Sequence, residues 1–256
     1  MARARAVERA LIARALLLMV AMVSFLASCI ESPQSPVDYD AVVVPQGNGS
    51  AAIRGWNVTL THADVALGPF YFCASASGSS TLCDAAVAEI TSVALVDGLA
   101  LGQAPLGRVH GLSGSVQSAA YDFGISWFDT QTSPTPSPVT PGPGHSMQLE
   151  GQATNGATGF SFTANVDVVP QYQGQNAFPT APAMANVTSS AFRLEVRFNP
   201  ADWLKQLDFD DIANQMATSG SSVFDIEPGS KEHAAILVGI KNLAPIDFVW
   251  VPLSTP

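Results

Sequence analysis

The chain has 256 residues, with 11 Lys+Arg against 21 Asp+Glu and a formal net charge of −10. That balance excludes a binder of the nucleic-acid backbone, which needs a basic surface. Hydrophobic residues make up 47% and charged residues 12%, with Gly 20 and Pro 18, so there is material for a real core but too much punctuation for long helices.

The chain opens with Arg3, Arg5, Arg9 and Arg14 against a lone Glu8, followed by an apolar run from Ala15 to Ala27. A helix over that run rises only about 20 Å, short of a hydrocarbon core of about 30 Å, so it suits a secretory signal better than a membrane span. Leu26-Ala27-Ser28-Cys29 then completes the pattern, and the whole segment resembles a bacterial lipoprotein signal with its lipobox. The resemblance implies removal of residues 1–28 and a diacylglyceryl group on Cys29, commonly joined by a further acyl chain such as palmitate. Two or three chains hold firmly where one binds only marginally. The competing reading is an ordinary secretory signal in which Cys29 is incidental. Ile30 and Glu31 follow the cysteine, and the absence of Asp at the next position points to the outer membrane, facing the periplasm or the cell surface. Loss of the signal leaves 7 basic and 20 acidic groups, a net of −13. Anionic headgroups then repel the surface, so the lipid itself must make the membrane attachment.

Residues 29–50 read as a lipidated cysteine and flexible tether, with Ala41-Val42-Val43-Val44 as a possible first strand, and residues 51–256 as one β-rich domain. Trp56, Val58 and Leu60 alternate with polar residues, and the apolar phase then moves to Val65 and Leu67. The chain must turn or bulge near His62-Ala63-Asp64. Phe70 to Cys73 resumes as a strand. Cys73 and Cys83 flank a small-residue loop in an exported chain, which favours a disulfide; a metal or redox pair is the alternative, and the spacing is wrong for C-x-x-C. The stretches Gly55-Trp56-Asn57-Val58-Thr59-Leu60 and Gly68-Pro69-Phe70-Tyr71-Phe72-Cys73 resemble segments of uncharacterised bacterial envelope lipoproteins, a likeness that carries no activity with it.

Residues 84–101 suit a short helix followed by a strand. Residues 119–128 put Tyr121, Phe123, Ile125 and Trp127 on one face. Residues 131–146 hold five prolines and cannot enter a sheet interior; they form either a long surface loop or an interdomain linker, and the loop is the preferred reading. Met147 to Ala153 and Phe160 to Val168 alternate cleanly around Asn155-Gly156, which predicts a hairpin with one face in water. Phe192 to Phe198 is another strand. Asn199-Pro200-Ala201-Asp202 opens a helix, Asp208 a second and Ser230 a third, and Phe248 to Val251 closes as a strand. The expected fold is mainly β, an antiparallel sandwich or open barrel with two or three short helices in the C-terminal third.

For metal chemistry, only His62-x-Asp64 puts two donors side by side, with His110 the next candidate; His145 ends the proline-rich loop and His233 falls on the last helix. No H-x-H, H-E-x-x-H or Cys-His cluster accompanies them, so surface histidines without a metal are the default. Asp208-Phe209-Asp210-Asp211 fails as an EF-hand, because its sixth position is Ala213, and reads as helix capping. Gly124-Ile125-Ser126-Trp127-Phe128 lacks the closing glycine of a nucleophile elbow. The four tryptophans lie within apolar patterns and read as core.

The leading expectation is a lipid-anchored envelope β-sandwich with a binding or structural role, no catalytic residues and no cofactor, and a protein or small-molecule partner that the sequence leaves unidentified. A metal-handling lipoprotein using His62, Asp64 and His110 is the runner-up. An envelope hydrolase with no visible motif is the third.

Overall fold

A computed structural model of the chain describes residues 34–76, 83, 86–189 and 192–253, and it is built mainly of strands. Cys29 and the signal segment lie outside the described residues. The folded unit begins at Ser35. Strand β1 (Pro36–Pro45) turns Val37, Tyr39, Ala41 and Val43 inward and Asp38 and Asp40 outward, with prolines confined to its two ends. This corrects the expected tether, since residues 36–45 form an interior strand of a sheet. The apolar alternation begins at Val37, four residues before the Ala41–Val44 run suggested.

A hairpin joins β2 (Ser50–Ile53) to β3 (Trp56–Leu67) through Arg54 and Gly55, both at positive φ, the two-residue geometry that matches strand twist. Along β3 the register against β11 (Met147–Asn155) shifts between Glu150 and Gly151. Glu150 pairs with His62 and Gly151 with Leu60, so Thr61 is the extra residue. The bulge lies one residue before the expected site and moves the buried phase from Trp56, Val58 and Leu60 to Ala63, Val65 and Leu67. Strand β4 (Phe70–Cys73) follows a turn at Gly68-Pro69. Residues 86–97 correct a second expectation: they form two short strands, β5 (Ala86–Ile90) and β6 (Ala94–Asp97), rather than a helix and a strand. Each finds a ladder partner, β5 on β4 and β6 on β3, and tertiary pairing overrides the helical pattern of small residues.

Strands β7 (Ala104–Leu112) and β8 (Gly114–Tyr121) are the next two long strands; β7 pairs with β1 and β5, and β8 with β4 and β13. Two-residue strands β9 (Ile125–Ser126), just before the proline-rich region, and β10 (Thr135–Pro136), within it, pair with each other. β11 and β12 (Thr158–Val166) make the expected hairpin. Its loop is Gly156-Ala157, with Gly156 at φ +60, the first position at which a type II′ turn takes glycine. β13 (Phe178–Val187), β14 (Phe192–Phe198), β15 (Val223–Ile226) and β16 (Asp247–Pro252) complete the strands.

One sheet runs β13-β8-β4-β5-β7-β1-β14-β16 and curls until its end strands touch, as a nearly closed barrel. The other runs β15-β12-β11-β3-β2, with β6 also on β3. Most pairs are antiparallel, but β1 lies parallel to β14 and β12 parallel to β15. The helices sit where the capping residues place them. Asn199 caps α1 (Pro200–Trp203), Asp208 caps α2 (Phe209–Ser219) and Ser230 caps α3 (Lys231–Val238), each accepting from a backbone N–H in the first turn. Phe209 packs against Trp56, Phe160 and Phe162. Trp203 stacks on Phe198, meets Phe123 edge-on and donates its indole N–H to the Ala244 carbonyl. Gly239 lies so close to the Trp203 carbonyl that an added Cβ would sit 2.0 Å from its oxygen. Burying Trp203 alone is worth about 3–5 kcal/mol against truncation to alanine. Among the described residues no helix is long and apolar enough to cross a membrane.

Candidate functional site beneath the proline-rich loop

The proline-rich loop lies within the folded unit and is pinned along its length. At its start, Asp122 and Gly124 interlock with the Gly68-Pro69 turn: Gly68 N–H donates to the Asp122 carbonyl, Asp122 N–H to Pro69 and Gly124 N–H to Gly68. Ser137 N–H donates to the Gly124 carbonyl, which folds the loop back over that turn. Trp127 and Phe128 are fastened to Gln131, and the Gln173 amide donates to the carbonyls of Asp129 and Gln131. At its far end Ser146 is buried, accepting from Ala66 N–H through its carbonyl and from Val168 N–H through its hydroxyl.

A groove of about 180 Å³ remains between the loop and the sheet, lined by Pro69, Thr91, Val93, Gly124, Ser126, Phe128, Gln131, Thr135, Pro136 and Ser137. Ser126 is 7% exposed, and its hydroxyl donates to Asp122 Oδ2 at 2.9 Å. Asp122 is 1% exposed. Its Oδ1 accepts from Ala177 N–H at 2.7 Å and its Oδ2 also from the Asn176 amide at 3.1 Å. Burial pushes the carboxyl up to about 6, against the opposing pull of these three hydrogen bonds. Among the described residues, the Asn176 side-chain oxygen Oδ1 is buried with no hydrogen-bond partner.

A second polar cluster closes the loop. His145 Nδ1 lies 2.7 Å from Asp167 Oδ1, and Asp167 N–H donates to His233 Nε2 at 3.0 Å. That bond fixes His233 as an acceptor at Nε2, and burial holds its ring below the ordinary histidine range.

The residues singled out from sequence are placed differently. His62 lies 3.3 Å from Asp64 on the outer face of β3, while His110 lies on β7 in the other sheet, 3.5 Å from Asp38. They do not converge on one site. Among the described residues no group of three or more His, Cys, Asp or Glu side chains is placed to hold a metal ion. Asp38 is engaged by Arg108, whose hydrogen bond holds its carboxyl below the usual range. Cys73 and Cys83 are disulfide-bonded, with Cα atoms 5.7 Å apart. Trp56 and Trp203 are core residues, whereas Trp127 and Trp250 are half-buried. Of the acids in the Asp208-Phe209-Asp210-Asp211 segment, Asp208 caps its helix and Asp210 accepts from the Trp56 indole.

Sequence reasoning missed both clusters flanking the loop. The signal for the first was a lone acid in the apolar run Ala119-Ala120-Tyr121-Asp122-Phe123-Gly124-Ile125, where a charge has no reason to be unless its surroundings hydrogen-bond it. The second joins residues 22 and 66 positions apart, which no local pattern reveals.

No family model and no curated protein matches the chain. Among solved structures, MbnP from Methylosinus trichosporium aligns at a TM-score of 0.31 and 14% identity, covering 67% of this chain and 78% of that chain.

Proposed function

We propose that this protein is a lipid-anchored binding module of the bacterial envelope, held at the outer membrane through Cys29, and that the groove beneath residues 131–146 is its recognition site. The observation that carries the binding role is the pinned loop. Its hydrogen bonds to Ala66, Gly124, Gln173 and Val168 hold a preformed groove over a buried polar network. A preformed site avoids the ordering cost that a floppy loop would bring to binding. The lipobox supports the anchor, and the Cys73–Cys83 bond belongs to an oxidising compartment. A non-catalytic role fits Ser126, whose hydroxyl is turned onto a carboxylate rather than a histidine.

Two experiments test the two halves. Palmitate labelling that is globomycin-sensitive and lost in Cys29→Ser supports the anchor; an unmodified protein free in the medium refutes it. Chemical-shift mapping with small ligands should localise responses to Gly124, Ser126, Phe128 and Thr135; responses confined elsewhere refute the groove.

A further inference from the structure

We propose that the groove takes a primary alkylammonium group, with its head on the Ser126 hydroxyl and its stem along Pro69, Phe128 and Pro136. This rests on the groove being the binding site and names the chemistry it would select.

The groove is backed by an unmatched charge. Asp122 is a buried carboxylate, and none of the lysines, arginines or histidines among the described residues acts on it; burial and three neutral hydrogen bonds set its ionisation. An ionised carboxylate kept from water without a counter-charge is expensive. The neighbouring Asn176 amide gives its N–H to Asp122 and leaves its own buried oxygen unpartnered. The network therefore holds more acceptors than donors. Ser126 is the member that also lines the groove. Its single proton is spent on Asp122, so its remaining capacity toward a ligand is to accept. A ligand that reaches the Ser126 hydroxyl meets an oxygen lone pair backed by a negative charge. The other walls are Thr91, Val93, Gln131, Thr135, Ser137 and apolar surface, and none of the lining side chains is charged. A cation is thus attracted and meets no competing base. The net charge of −13 after signal removal adds a long-range bias in the same direction. A primary ammonium offers three donors on a narrow head, and the Phe128 ring gives a cation a favourable surface. A volume of 180 Å³ suits a short alkyl chain, the size of a lysine side-chain end or a small free amine.

Among the described residues, Tyr71 on β4 is the titratable group that interacts with Asp122. Burial, then Glu89 and Asp122, push its phenol up to about 12, so it stays neutral as Asp122 titrates. Ammonium binding should then follow the ionised fraction of Asp122 alone.

The test is an NMR titration of the full chain with propylammonium, Nα-acetyl-lysine amide and n-propanol. Propylammonium should shift Ser126 and Phe128 saturably and bind about tenfold or more tighter than n-propanol. Affinity should fall about tenfold per pH unit once the pH drops below the Asp122 transition, because only the ionised fraction is competent. Asp122→Asn should abolish the preference for the cation, and Ser126→Ala should weaken it. If Asp122→Asn fails to fold, the pH series on the unaltered protein removes the same charge. Equal binding of both amines assigns the site to lysine side chains, and binding of propylammonium alone assigns it to free amines; either supports the proposal. Groove shifts with n-propanol that propylammonium does not exceed would overturn the cation and leave the groove as a binding site. Absence of groove shifts with every probe would overturn both.

Discussion

The two ends of the proline-rich loop are fastened by opposite chemistry. At the start, Asp122 is a buried acid whose pKa is raised, chiefly by desolvation. At the end, His233 is a buried base whose pKa is lowered, again chiefly by desolvation. Both clusters favour their neutral forms, so acid relieves one end and loads the other. For Asp122, stability is fully present below its ordinary value of 3.8 and is lost as pH rises through about 6. For His233, stability is fully present above its ordinary value of 6.5 and is lost as pH falls toward the lowered value. The two contributions therefore run in opposite directions: the Asp122 end is firmest in acid and the His233 end in neutral to alkaline solution.

The largest effect is expected of Asp122→Ala. It strands the Ala177 N–H and the Asn176 amide in a buried site, and should cost about 3 kcal/mol or more in denaturant melts. Asp122→Asn keeps the shape and removes the charge. Above about pH 6 it should recover part of the roughly 3 kcal/mol that raising the carboxyl by about 2 pH units represents, and its melting temperature should be flat where the unaltered protein's falls. Replacing Cys73 and Cys83 together by serine is the control away from the loop: a loss of about 2–3 kcal/mol with the pH profile unchanged. His233→Asn should cost about 1–2 kcal/mol, from the Asp167 N–H losing its acceptor, and should remove the acid limb of the profile while leaving the Asp122 limb in place. The smallest effect is expected of Arg54→Gly. It relieves a positive φ at a hairpin turn and should raise stability by about 1 kcal/mol or less, with no change in pH dependence.

The contrast also shows what a sequence makes legible. The β11–β12 hairpin, the three capped helices and the β3 phase change all follow from patterns within about a dozen residues; the caps fall on the expected residues, and the bulge and the hairpin turn each lie one residue from the expected position. The parallel pairs of β1 with β14 and β12 with β15 join segments far apart in the chain, and local periodicity has no access to them. Residues 86–97 misled because Ala and Glu favour a helix in isolation, while ladder partners on β4 and β3 were waiting in the fold. The candidate site was the least legible part. His62 and Asp64 are two apart and drew attention, yet they lie on an outer face. Asp122, Ser126 and Asn176 span 54 positions, and their chemistry comes from burial, which composition does not report.

The most direct test is a pH titration of the Asp122 side-chain carboxyl by carbon-13 NMR. An inflection near 6, displaced downward by propylammonium, is expected. An inflection near 3.8, unmoved by the amine, would mean that the carboxylate is neither desolvated nor short of a counter-charge, and would refute both the buried acid and the cation site.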